Sequence, residues 1–148
     1  IKNEFDFILL DCPPSLGVLT INAYVAADTI LVPIEAEFLA LKGYAVLIEA
    51  IGNVGIEIDK VFVTKYDSRK VLNRTVKDNL LGSLGNKAFK TVIRTNVALA
   101  EATSSRLDII RYDSKSNGAN DYKELTKEIL LWVKNNLKDI FSLDYHAL

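Results

Sequence analysis

Asp11 closes a nearly continuous apolar run, Phe5-Asp6-Phe7-Ile8-Leu9-Leu10, and is followed at once by Cys12, Pro13, Pro14 and Ser15. A carboxylate is costly to bury unless it is paired or close to a metal. An aspartate at the end of such a run therefore points to an open strand end. A lone carboxylate there suits Mg2+, which keeps most of its waters and takes one or two carboxylates together with phosphate oxygens. Asp11 is therefore the candidate metal-holding residue. Pro13 and Pro14 lack amide hydrogens and have fixed φ. They form a stiff turn that can hold Ser15 and its backbone near a terminal phosphate. The turn also reads as a rigid strand-to-helix connector with Ser15 as a helix N-cap, and the two roles are compatible.

Thr64-Lys65-Tyr66-Asp67 is a second constellation. It has the form of the T-K-x-D base-recognition segment of P-loop proteins that bind guanine. An aspartate there accepts two hydrogen bonds from guanine, whereas adenine has no matching donor pair. Asp67 reads equally well as a turn or helix-cap residue. Close by, Arg69, Lys70, Arg74 and Lys77 form a basic patch around a helix start. Phosphate contacts by such a patch give sequence-independent, salt-sensitive binding to nucleic acid; the plainer reading is a solvated helix face. Glu35 and Glu37 resemble an acid–base pair or, more simply, a polar loop before a helix. His146 has no histidine or cysteine partner at a metal-ligand spacing.

These residues need a frame, and the frame alternates. Phe5–Leu10, Thr29–Ile34, Lys60–Thr64 and Ala88–Ile93 read as strands, the first buried on both faces. Asp108–Tyr112 reads as a further short strand. Gly17–Ala27, on a buried element, Ala40–Gly52, Val71–Leu81 and Val97–Ala102 read as helices. Asn73, Arg74, Lys77 and Asp78 make a polar face on the third. Asn117–Leu137 is a long amphipathic helix with Tyr122, Leu125, Ile129, Trp132 and Val133 on its apolar side. Such alternation predicts a doubly wound, mostly parallel α/β sheet, with one domain over residues 1–138 and a tail over 139–148.

With 49% hydrophobic and 25% charged residues the composition is that of a globular domain. A net charge of −1 leaves any nucleic-acid site to be local. The one cysteine excludes an internal disulfide and fits a reducing compartment. No apolar run approaches the roughly 18 residues of a membrane span. The chain contains no methionine and begins on Ile1, which reads as an internal fragment of a longer protein.

The ordered motifs resemble one family. "DFILLDCPPSLGVLTINAYVAADTILVPIEAEFLALKGYAVLIEAI", then "VFVTKYDSR", "KAFKTVIRTNVALAEA" and "IIRYDSKSNGANDYKELTKEIL" look like the ParA/Soj partition ATPases of the deviant-Walker group that includes MinD. The resemblance implies a P-loop NTPase fold that is incomplete on its N-terminal side. The family's glycine-rich K-G-G-x-G-K-T/S loop and its D-x-D-P-Q-G segment do not occur in this sequence. Asp11 then stands at the Walker B position, holding Mg2+ through water, and Pro13, Pro14 and Ser15 sense the γ-phosphate of ATP. Asp67, Arg94, Thr95, Asn96 and Val97 shape the base pocket. Arg94, Thr95 and Ala98 depart from the family pattern, in which proline and two arginines stand there. Arg94 makes up for one lost charge and joins Arg69, Lys70, Arg74 and Lys77 as a DNA contact. Glu37, Phe38 and Lys42 fall near an ATP-sandwiched dimer interface.

The resemblance further implies an ATP-dependent homodimer, non-specific DNA and a ParB-like protein as partners, and a cytoplasmic, nucleoid-associated location without membrane contact. It implies an ATPase as the intact protein and an inactive fragment. Two other readings stand beside it: a non-enzymatic, P-loop-less DNA- or partner-binding module, and a MinD-like membrane ATPase. A GTPase is disfavoured because D-C-P-P-S, not D-T-A-G-R, follows the first strand. The tail carries both charge signs and lacks the cationic face of a membrane anchor.

Overall fold

Val61 and Val63 face one side of a parallel sheet and Phe62 the other, which is why a run with no polar alternation folds as its central strand. The computed structural model describes residues 4–13, 15–53 and 55–136. Its elements are α1 (Val18–Ala26), β1 (Leu31–Glu35), α2 (Phe38–Gly52), β2 (Lys60–Tyr66), α3 (Val71–Leu84), a 3-10 turn (Gly85–Lys87), β3 (Ala88–Arg94), α4 (Val97–Ser104), α5 (Ile109–Asp113) and α6 (Asn117–Asn136). The sheet has the order β1-β2-β3, parallel throughout, with Ile34 opposite Val63 and Val63 opposite Val92. Pro33 lies within β1, an outer strand of this sheet, where a missing amide is tolerated.

Each sheet face has its own core. Ile34, Val61, Val63 and Ala88 pack with Ile51 of α2 and Leu80 of α3. Phe89 and Ile93 pack on the opposite face with Leu125, Ile129 and Trp132 of α6. Helices on both faces make the architecture doubly wound, as the alternation predicts. Trp132 meets Phe89 edge to face, with centroids 6.4 Å apart, and the Lys60 ammonium lies over both rings. The start of α6 passes α4 at glycine distance: a Cβ on Gly118 would sit 2.7 Å from Leu99 Cγ.

Several sequence expectations need correction. Residues 5–10 join no strand of the three-stranded sheet, and Leu9 is 88% exposed. Apolar content makes a run competent to be a strand; the ladder of a neighbouring strand makes it one. α1 forms where predicted, but Val18, Leu19 and Val25 are exposed and Thr20 is its buried residue. Asp108–Tyr112 is helical, not extended: the Asp108 side chain accepts from the Arg111 amide and its carbonyl from the Tyr112 amide. That cap overrides the β-branched pair Ile109-Ile110. Asn73 is buried rather than on a polar face, and Tyr122 is exposed rather than in the α6 core. Pro14, the end of the predicted last helix at Leu137, and the tail with His146 lie outside the described residues.

β3 and α6 are joined by carboxylates as well as by apolar packing. Glu128 accepts the backbone amides of Lys90 (2.8 Å) and Thr91 (2.9 Å). Burial alone would raise the Glu128 carboxyl, but these amides, the Thr91 hydroxyl and the Lys90 charge outweigh it and hold it below its ordinary 4.5. A carboxylate depressed in the folded state adds stability that is complete above the unfolded value and lost as pH falls through the folded one. Thermal melts of the native protein should therefore show stability falling below about pH 4.5, with Glu128→Gln flattening that fall. An unchanged pH profile in the variant would remove Glu128 from the account.

Candidate functional site at the carboxyl edge of the sheet

In open parallel sheets, ligands bind beyond the carboxyl ends of the strands. Here those ends are Glu35, Tyr66 and Arg94. Backbone bonds tie them together: the Ala36 amide donates to Thr64 O (3.0 Å), and the Thr95 amide to Tyr66 O (2.9 Å). Asn73 adds a side-chain tie. Its Oδ1 accepts the Asp67 amide (2.9 Å), while its Nδ2 donates to Ala36 O (2.6 Å) and, more weakly, to Glu37 Oε1 (3.4 Å). One buried amide thus spans the loops after β1 and β2. Sequence reasoning missed it, although Asn73, Val76 and Leu80 share a helical stripe and all three are buried.

β2 does not end as a regular strand. Its register against β3 shifts between Val63 and Tyr66, and Lys65 takes φ 51°, the left-handed region that disfavours a side chain. The kink carries the Lys65 ammonium to Glu35 Oε1. Immediately after it, Asp67 is forked by Arg69: Nε donates to Oδ1 (3.0 Å) and Nη2 to Oδ2 (2.8 Å), and the Arg69 amide also donates to Oδ1 (3.0 Å). The Arg69 side-chain and amide bonds, helped by the charges of Arg69 and Lys70, lower the Asp67 carboxyl to about 2.

The segment after β3 lies beside this turn. Asn96 caps α4, accepting the Ala98 amide at 2.8 Å; Thr95 makes the backbone tie to Tyr66; Val97 leaves its side chain exposed. Arg94 turns toward α6. Its Nη2 and Nε reach the carboxylate of Asp121 at 2.6–3.1 Å, and its amide donates to the same carboxylate at 2.9 Å. Asp121 was not a sequence candidate, yet it lies four residues before Leu125 on the stripe that packs the core.

The basic residues differ in what holds them. Arg74 donates to Ser68 O (2.6 Å), Lys77 pairs with Asp78 (3.1 Å) and sits over the Tyr66 ring, and Lys70 is the N-cap of α3. The first turn of α3 contains no acidic residue. Phe38 is exposed, and Lys42 stacks its ammonium 5.1 Å over the Phe38 ring.

The structure thus brings Asp67, Arg94, Thr95, Asn96 and Val97 to one edge. It does not bring the Asp11 turn to them by any described contact. Asp11, Pro13 and Ser15 are exposed; the Ser15 amide donates to Pro13 O (2.8 Å), and Gly17, not Ser15, is the N-cap of α1. Among the described residues no cluster of three acidic, histidine or cysteine side chains forms a metal site, so Asp11 offers a single carboxylate. Glycines at positive φ are Gly55 and Gly85, in turns leading into β2 and β3 at the opposite end of the sheet. A single exposed carboxylate such as Asp11 suits one position of a water-rich Mg2+ shell, and no glycine-rich phosphate cradle occurs in this sequence. No helix among the described residues is long and apolar enough to cross a membrane.

A family profile described as an AAA domain matches residues 1–64. The chromosome-partitioning ATPase Soj of Treponema pallidum is 39% identical over 136 residues, 88% of this chain and 54% of that protein. The sporulation initiation inhibitor protein Soj of Bacillus subtilis is 39% identical over 87% of this chain and 53% of that protein. The chromosome partitioning protein ParA of Myxococcus xanthus is 36% identical over 86% and 47%, respectively. The fold matches the crystal structure of the Pyrococcus furiosus cell division ATPase MinD with a TM-score of 0.72 at 23% identity, covering 88% of this chain and 54% of that one. The chain spans about half the length of the curated relatives it matches, and along most of its own length it is similar to the ParA and Soj proteins.

Proposed function

We propose that this chain is the base-edge and DNA-facing part of an ATP-dependent partitioning ATPase. The observation that carries the reading is 39% identity, over 88% of the chain, to a protein named as a chromosome-partitioning ATPase. In this reading the turn at Asp67 and the segment Arg94–Val97 line the base pocket, and Asp11 holds Mg2+ through water. The Pro13-Pro14-Ser15 turn faces the γ-phosphate. The sequence contains no glycine-rich phosphate loop, so on this reading the segment alone does not hydrolyse ATP. Catalysis of phosphoryl transfer rests on preorganised charge that the segment lacks. Exposed Phe38, with Lys42 and Glu37, belongs to the interface of an ATP-dependent homodimer, and a ParB-like protein stimulates hydrolysis.

DNA contact falls to Lys70 and Arg74. Both sit at the N-terminal end of α3, where the helix dipole is already positive and no first-turn acid offsets them. Such an arrangement destabilises the helix locally and attracts phosphate. Arg94 is committed to Asp121, Arg69 to Asp67 and Lys77 to Asp78, which leaves Lys70 and Arg74 to meet the backbone of DNA. Binding of the intact native protein to random-sequence duplex DNA, with and without ATP, tests the reading. Affinity should require ATP and fall with salt, and Lys70→Ala with Arg74→Ala should reduce the log–log salt slope by about 2. Equal, tight binding without nucleotide would favour the non-enzymatic module instead.

A further inference from the structure

The T-K-x-D segment that would read guanine is present in this chain, but its aspartate is already occupied. Guanine presents two adjacent donors, N1–H and the N2 amino group, which a carboxylate accepts side by side. The Arg69 guanidinium presents the same two-donor edge, and it meets both Asp67 oxygens, Nε at 3.0 Å and Nη2 at 2.8 Å. The carboxylate is also fixed in place. The Asp67 amide is held by buried Asn73, and the preceding carbonyl, Tyr66 O, is held by Thr95. The Asp67 side chain is 14% exposed, whereas that of Arg69 is 88% exposed. Arg69 therefore packs against little, and its ordered contacts are those with Asp67.

We propose that Arg69 is a specificity-determining residue which, by forking Asp67, occupies the acceptor pair that guanine needs and leaves the base pocket selective for adenine. The inference rests on the nucleotide-binding reading above. Arg69 acts through Asp67 and is a positioning residue, not a catalytic one. Adenine loses nothing by the fork, because it has no donor pair to offer that carboxylate. Guanine has to displace a charged, intramolecular competitor to reach it.

Competitive displacement of a fluorescent ATP analogue by ATP and by GTP tests this in the intact native protein. The unaltered protein should prefer ATP. Arg69→Ala should raise GTP affinity relative to ATP by roughly tenfold or more, the scale of one good bidentate contact to a base. Arg69→Ala with Asp67→Ala should return the ratio to that of the unaltered protein, and Arg69→Lys, with no fork, should lie between. A carboxylate titration by NMR gives a second readout that needs no nucleotide: Asp67 should move from about 2 toward its ordinary 3.8 in Arg69→Ala. If ATP binds and the ratio is unchanged in Arg69→Ala, or if Asp67 stays near 2, the role of Arg69 is overturned. If the unaltered protein displaces the analogue with neither nucleotide, the nucleotide reading falls and the inference with it.

Discussion

Asn73→Ala should destabilise the native protein by about 3 kcal/mol, measured by urea unfolding. The side chain is buried and links three groups: the Asp67 amide, the Ala36 carbonyl and the Glu37 carboxylate. Truncation leaves the first two without their side-chain partner inside the protein, and each buried polar group left unmade costs about 1–3 kcal/mol. Asn73→Asp separates the two halves of the tie. It keeps an acceptor for the Asp67 amide, loses the donor to Ala36 O, and places a second carboxylate near Glu37. It should therefore be destabilised as well, and more so at neutral than at acid pH. The same loss should loosen the turn that aims Asp67, so nucleotide affinity should fall along with stability. An Asn73→Ala protein within 1 kcal/mol of the unaltered one would mean that the loops after β1 and β2 are held by their backbone bonds alone.

Asp121→Ala should have a comparable effect, about 3 kcal/mol, through a different mechanism. Asp121 is 8% exposed and receives both the guanidinium and the amide of Arg94. Its removal leaves the Arg94 amide without its acceptor and takes several charge-assisted bonds from the half-exposed guanidinium at the junction of β3 and α6. Arg94→Ala should cost less, because the guanidinium is 45% exposed and Asp121 keeps the Arg94 amide. The pair should show positive coupling in a double-mutant cycle. If Arg94→Ala proved the more damaging of the two, the carboxylate would not be the organising partner. The same experiment shows how firmly Asp121 holds the Arg94 guanidinium at the junction of β3 and α6.

Much of this was legible before any coordinates. Period and composition placed β1, β2, β3, α2, α3, α4 and α6 to within a few residues at most ends. Alternation of strand and helix is written in local hydrophobic spacing, and each sheet face demands apolar residues from its own strands. The order of motifs, from D-C-P-P-S through T-K-Y-D to G-A-N-D-Y, also carried the likeness to the ParA and Soj proteins, because that signal lies in residue identity and sequence order.

The tertiary structure decided what depends on a partner distant in the chain. Residues 5–10 read as a fully buried strand and yet lie outside the sheet, since strand formation needs a ladder from elsewhere. Asn73 reads as part of a polar helix face and Asp121 does not stand out at all, and burial makes both of them ties at the carboxyl edge of the sheet. Arg94 and Arg69 both read as free charges for DNA; one is held by a carboxylate 27 residues away and the other by one two residues away. Hydrogen bonding of a polar side chain is short-ranged in space and has no fixed period in sequence. Pattern reading finds where such groups stand, and only the folded chain shows which of them are already spoken for.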